Sequence, residues 1–192
     1  MGLLRAMFGP SRDEVWRQLA EQLGADFVAG KGFRESKVQV HVDEWTVTLD
    51  TYTVTTGSVH ITYTRMRAPF VNRDGFRFRI YQKNIFSSVG VLFGMQDIEV
   101  GYPDIDREFV LKGNDETKLC MLFTDQRFRE LLMELKEFTL EVKDDEGWFG
   151  TKFPEGVDEL YLQVSGVVKD IERLKRFYEL FAVTLHQLCH IG

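Results

Sequence analysis

The chain has 192 residues, a formal net charge of −6, 44% hydrophobic and 28% charged residues, enough for one sizeable core or two small ones and ordinary for a soluble globular protein. The acidic balance speaks against general nucleic-acid binding, and no apolar run approaches the ~20 residues of a membrane span. Cys120 and Cys189 stand far apart without a disulfide framework, which fits a reducing compartment, and the expected location is the cytoplasm.

The first ten residues, MGLLRAMFGP, are too short in apolar run for a signal peptide, and Ala6 stands where a myristoylation signal wants Ser or Thr. They read as an arm packed on the domain, or as a weak contact for a membrane surface or a partner. Ser11 and Glu14 then form an S-x-x-E capping box that opens a helix. Trp16, Leu19, Ala20 and Leu23 give it an apolar stripe, and Gly24 is its natural stop. Val38, Val40 and Val42 alternate with polar neighbours as in a half-buried strand. Trp45 is out of phase with them, so a turn or bulge is expected near Asp43-Glu44.

The longest strand-like stretch runs from Trp45 to Tyr81. Thr56-Gly57 reads as a two-residue hairpin turn, which sets Val54 against Val59, Tyr52 against Ile61 and Asp50 against Tyr63, with Arg65 diagonal to Asp50. The apolar phase changes along this hairpin, from Trp45, Val47 and Leu49 to Tyr52 and Val54. Either a bulge shifts it or both faces are covered.

A third strand follows Asn72–Gly75, with Phe76, Phe78 and Ile80 on one face and Arg77, Arg79 and Tyr81 on the other. If it pairs with the strand before it, Arg65, Arg67, Arg77 and Arg79 share a face. Six basic residues and one acidic residue lie between Arg65 and Lys83. One reading pairs the arginines with acidic strands elsewhere, for example Asp97 and Glu99. The other is a site for an anion or an acidic partner, since the planar guanidinium fork matches phosphate and carboxylate. Asp74–Phe78 resembles the G-F-x-F core of an RNA-binding strand, but it lacks the preceding basic residue and the surrounding framework, and RNA recognition is not expected.

Ser87–Gly94 contains glycines without the GK[ST] ending of a phosphate loop. Gln96–Val100 and Glu108–Leu111 read as short strands divided by a turn at Gly101–Asp104. Gly113-Asn114-Asp115 reads as a hairpin turn into a strand over Lys118–Phe123. Thr124 or Asp125 caps a middle helix carrying Phe128, Leu131, Leu132 and Leu135 at helical spacing. Phe138–Val142 and Glu159–Val164 read as strands joined by a long connection, a kind that is usually functional or mobile. Its adjacent acids Asp144, Asp145 and Glu146 lack the alternation of a calcium loop. Its aromatics, Trp148 and Phe149 foremost, tuck into the core or form a partner surface.

A long helix runs from about Asp170 to the end. Leu180 and Val183 fall off its apolar stripe and hint at a second contact surface such as a homodimer. His186 and His190 have a spacing that can share a metal, but both point away from the stripe and no HExxH pattern is present, so the solvated face is the better reading and no metal is expected. The order of elements implies an α+β fold: a mainly antiparallel sheet with an N-terminal helix, one middle helix and a long C-terminal helix. It reads as a single domain over 1–192, with 1–103 and 104–192 as alternative subdomains.

Taken together, WTVTLDTYTV, TYTRMRAPF with DGFRF, GMQDIEVG, FVLKGND, LEVKDDEGWFG and GVDELY resemble an uncharacterised bacterial protein family, over nearly the full length. The resemblance implies a single-domain, cytoplasmic protein, and brings no activity, cofactor or catalytic residue.

No nucleophile–base set stands out. The first functional reading is a non-enzymatic binding or interaction module that takes an acidic ligand or a protein through the arginine face, the Trp148-Phe149 loop, or both. The second is a small-ligand binder with an apolar cavity between a curved sheet and the C-terminal helix. The third is an enzyme acting on an anionic substrate held by the arginines.

Overall fold

The computed structural model describes residues 9–32, 35–84, 95–144 and 153–191. Residues 1–8 and the loop carrying Trp148 and Phe149 lie outside these. Helix α1 spans Arg12–Leu23. Its capping box is closed in both directions: Glu14 N–H donates to Ser11 Oγ at 3.3 Å, and Ser11 N–H donates to Glu14 at 2.9 Å. Gly24 ends it at a φ of 62°, a left-handed conformation that glycine adopts without steric cost. Trp16 is buried and its indole N–H donates to the Val168 carbonyl at 3.1 Å, tying α1 to the segment ahead of the last helix.

Among the described residues there are nine strands: β1 (Asp26–Val28), β2 (Lys37–Val42), β3 (Trp45–Thr56), β4 (Val59–Val71), β5 (Phe78–Gln82), β6 (Gln96–Asp97), β7 (Phe109–Gly113), β8 (Phe138–Lys143) and β9 (Val157–Ser165). They form one sheet in the order β1-β2-β3-β4-β9-β8-β5-β7-β6, antiparallel at every strand pair. The fold is α+β with a mainly antiparallel sheet. β4 pairs with β9, and β5 with β7 and β8, so the hydrogen-bonded sheet runs across positions 101–106.

The hairpin β3–β4 turns at Gly57-Ser58, one residue later than Thr56-Gly57, and its register pairs Asp50 directly with Arg65 and Tyr52 with Tyr63. Gly57 has a φ of 61°, and a glycine in the first loop position is what a type II′ turn asks for. The register is unbroken from Thr48 to Thr56, so no bulge shifts the phase there. Asp50 and Thr51 are both buried although they face opposite ways, so the strand is covered on both sides at that point. Pro69 explains where the ladder stops. It has no N–H to give β3, and pairing with β3 ends at Thr48–Arg67 while pairing with β9 continues to Val71.

The middle of the chain holds three helices rather than one: α2 (Pro103–Glu108), α3 (Glu116–Leu122) and α4 (Gln126–Glu134). Pro103 lies in the first turn of α2, where its missing N–H is no loss. The stretch read as a strand over Lys118–Phe123 is helical because Asp115 accepts the Lys118 N–H at 3.0 Å as an N-cap. That cap outweighs a short apolar run whose period is ambiguous.

Helix α5 (Ile171–Ile191) lies against α1, α3, α4, β4 and β9. Leu180, off the main stripe, is fully buried and Val183 packs against the same core. These contacts within the chain account for the second apolar surface. Between α5 and the sheet, Phe177 meets Phe138 edge-on at 6.0 Å, and Phe181, Leu185 and Leu188 of the same helix are buried. Among the described residues, no helix is long and apolar enough to cross a membrane.

Candidate functional site

Alternation along each strand sends every second residue to the face opposite the core. The registers align Thr48, Arg67, Tyr161, Glu141, Arg79, Lys112 and Asp97 in one row across β3, β4, β9, β8, β5, β7 and β6. The adjacent row on that face holds Asp50, Arg65, Gln163, Thr139 and Tyr81. Arg65, Arg67 and Arg79 therefore do share a face. The expected reason was different: β4 and β5 are not paired, since β9 and β8 stand between them.

Two carboxylates organise this face, each serving two cations. Asp50 accepts from Arg65 Nε at 2.5 Å and from Arg67 at 3.0 Å. Glu141 is paired with Arg79 and sits 3.1 Å from Lys143 Nζ. Tyr52 stacks on Tyr63 at 5.2 Å and donates its hydroxyl proton to Gln163 at 2.8 Å. Arg65 lies over the Tyr52 ring at 4.8 Å, and Lys143 Nζ over the Tyr161 ring at 3.3 Å, placing cations on the negative faces of the rings.

Tyr161 is only 3% and Glu141 only 4% exposed. Burial works against the Arg65 charge, but the hydrogen bond and charge of Asp50 outweigh it and hold the guanidinium above its ordinary pKa. Burial, reinforced by Tyr52, pushes the Tyr161 phenol well above the usual tyrosine range, so it stays protonated and cannot serve as a base near neutral pH.

Arg77 leaves the row. Preceding β5, it reaches Asp144 at 2.8 Å and Asp158 at 3.4 Å, and Asn72 also donates to Asp158, at 2.6 Å. This cluster lies at the end of the sheet where β4 and β8 finish and β9 begins. The acidic partners named from sequence are also corrected. Asp97 pairs with Lys112 at 2.8 Å, and Glu99 lies exposed just past β6. Both sit at the sheet edge, beyond the reach of the arginines.

The remaining candidates are structural or isolated. Phe76 and Phe78 are buried with ring centroids 5.7 Å apart, a core pair and not a base-stacking platform. His186 meets the edge of Trp45 at 5.6 Å and lies 3.6 Å from Asp43. Burial raises the pKa of both thiols, Cys120 and Cys189, the opposite of nucleophile activation. Among the described residues, no three His, Cys, Asp or Glu side chains converge on a metal position. Glu141, Lys143, Tyr161 and Gln163 were missed as site residues. The signal for the first two was the alternation in FTLEVK, which puts Glu141 and Lys143 opposite the apolar Leu140 and Val142.

The architecture has a counterpart among solved structures. The chain is similar to the crystal structure of the mycobacterial trehalose monomycolate transport factor A, TtfA, with a TM-score of 0.58 over 94% of this chain and 95% of that one. At 7% sequence identity, the likeness shows a shared fold. No protein-family model and no curated protein matches the chain, which is in keeping with its resemblance to a family without an assigned activity.

Proposed function

We propose that this chain is a non-enzymatic binding module whose arginine-bearing sheet face takes an acidic group of a ligand or protein partner. The supporting observation is the shared use of carboxylates. Among the described residues, Arg65, Arg67, Arg79 and Lys143 surround Asp50, Glu141 and Glu159, and Asp50 and Glu141 each serve two of these cations. An entering carboxylate or phosphate gains hydrogen bonds from guanidinium groups already held in place, so little side-chain freedom is lost on binding. The protein of like fold is titled a transport factor, and a binding role here is in keeping with that. Trp148 and Phe149, in the connection between β8 and β9 in sequence, are kept as the second candidate surface. The free thiols Cys120 and Cys189 fit a cytoplasmic setting.

The test is a titration with pyrophosphate and with a poly-glutamate peptide, followed by amide NMR. Shifts should concentrate on β4, β5, β8 and β9 and fade with salt. Arg67→Gln leaves Asp50 its bond to Arg65, so the fold should hold while affinity falls about tenfold. Titrations that leave these four strands unmoved would reject the acidic-ligand reading. Alanine at Trp148 and Phe149 that leaves partner capture unchanged would remove the loop.

A further inference from the structure

The two sides of the β3–β4 hairpin differ. On the helix side it is tied down by polar groups. Thr51 Oγ1 accepts from the Arg12 guanidinium at 3.0 Å, the Thr53 and Thr62 hydroxyls meet at 2.9 Å, and Thr55 meets His60 at 2.9 Å. On the other side the register places Tyr52 beside Tyr63, Val54 beside Ile61 and Thr56 beside Val59, in line with the Asp50–Arg65 pair.

This second side holds three of the seven large apolar side chains exposed among the described residues: Val54 at 42%, Ile61 at 41% and Val59 at 56%. The other four, Val28, Val71, Met121 and Val167, sit singly on β1, the end of β4, α3 and the segment after β9. Single exposed apolar residues need no explanation, whereas a cluster does. The strip also has a direction. It begins at Arg65, whose Nε and Nη2 both bond Asp50 and whose guanidinium lies over the Tyr52 ring at 4.8 Å. It passes the stacked Tyr52–Tyr63 pair and ends at Val59, and residues 51–63 include no Asp, Glu, Lys or Arg. The extended strand from Asp50 to Thr56 makes the strip about 20 Å long.

We propose that the acidic ligand of the arginine face is a single-chain amphiphile, its carboxylate or phosphate held at Arg65 and its alkyl chain laid along Tyr52, Tyr63, Val54, Ile61 and Val59. This rests on the acidic-group reading and adds the tail to it. The order of side chains selects the occupant. A cation meets the acidic head, tyrosine rings with an apolar body and a polar tip suit the junction, and aliphatic groups meet the chain. A bilayer would take the hairpin apex first. That apex is Thr55, Thr56 and Ser58 with their backbone, which hydrocarbon leaves without hydrogen-bond partners. An extended peptide gains affinity from backbone pairing at a sheet edge, which a sheet face does not offer. An alkyl chain asks for neither.

The experiment is a titration of the intact chain with alkyl phosphates from butyl to decyl, kept below micelle formation and followed by calorimetry and amide NMR. A fully buried methylene gains about fourfold in affinity. A chain lying on a face is covered on one side, so each methylene should gain about twofold, and decyl phosphate should bind about 60-fold tighter than butyl phosphate. Val54→Thr with Ile61→Thr should flatten the series and leave the butyl phosphate affinity and the melting temperature unchanged, since both side chains are about two-fifths exposed. An affinity independent of chain length, with the shifts on β4, β5, β8 and β9 retained, overturns the amphiphile and leaves the acidic-group reading standing. No shift on those strands with any of the phosphates rejects both. Binding to phosphatidylglycerol vesicles without binding of decyl phosphate assigns the strip to a bilayer and overturns the proposal as well.

Discussion

Two neighbouring rows of the same sheet hold opposite chemistries. Ile80, Leu140, Leu162, Met66, Leu49 and Val38 run across five paired strands and their neighbour β2 on the helix side, all buried. One residue along, Arg79, Glu141, Tyr161, Arg67, Thr48 and Gln39 run across the same strands on the other side. The first row gains stability from area, which is non-directional and tolerates exchange among apolar residues of similar size. The second holds several groups nearly as deeply, and there stability depends on who is paired with whom. Removing one partner from such a pair strands the other.

That contrast can be broken or sharpened by mutation. The largest loss should come on the helix side, where Phe177→Ala removes a ring packed on Phe138 and costs about 3–5 kcal/mol in chemical denaturation. On the polar side, Glu141→Gln leaves Arg79 and Lys143 without their shared carboxylate and should cost about 3 kcal/mol. The triple change Arg79→Met, Lys143→Met and Glu141→Leu should return stability to within about 1 kcal/mol of the wild type, because apolar side chains replace the whole ionic set around Glu141. A triple variant as unstable as Glu141→Gln would show that the two faces do not differ in this way.

The smallest effect belongs to the exposed ion pair of Arg127 on α4 with Glu179 on α5, 2.7 Å apart. The Arg127 hydrogen bond, followed by the opposing cost of burial, lowers the Glu179 pKa below its ordinary value. A carboxylate depressed in the folded state adds stability above its unfolded pKa, and that gain is lost as pH falls through the folded value. Glu179→Gln should therefore cost less than about 1 kcal/mol at neutral pH, discounted for solvent screening. It should also flatten the acid limb of a stability-against-pH curve. An unchanged acid limb would remove the pair from the account.

The fold was legible wherever a local rule had one answer. The Ser11–Glu14 box, the stripe of α5 and the odd positions of β3 all stand as read. Lys118–Phe123 failed because five apolar residues in six positions suit either period, and the deciding cap at Asp115 had been read as part of a turn. The hairpin slipped by one residue because Thr56-Gly57 and Gly57-Ser58 differ only in which loop position the glycine takes. The arginine set was visible as a cluster, and its contact with Asp50 follows from the local hairpin. Glu141 and Asp158 were not visible as partners, since pairing of β5 with β8 and of β4 with β9 joins segments far apart in sequence. Local pattern does not carry that information.

The place of the β8–β9 hairpin in the strand order has a consequence for how the chain reaches its fold. β1 to β4 are joined by neighbours in sequence and can zip up as local hairpins while the ribosome is still at work. β5, β7 and β6 form a second group, and the strands that unite the two are the last to be made. Until β9 emerges, β4 presents an unpaired inner edge, so synthesis passes through an interval in which the nascent chain is most open to wrong partners. That interval closes only when the final strand of the sheet has been made.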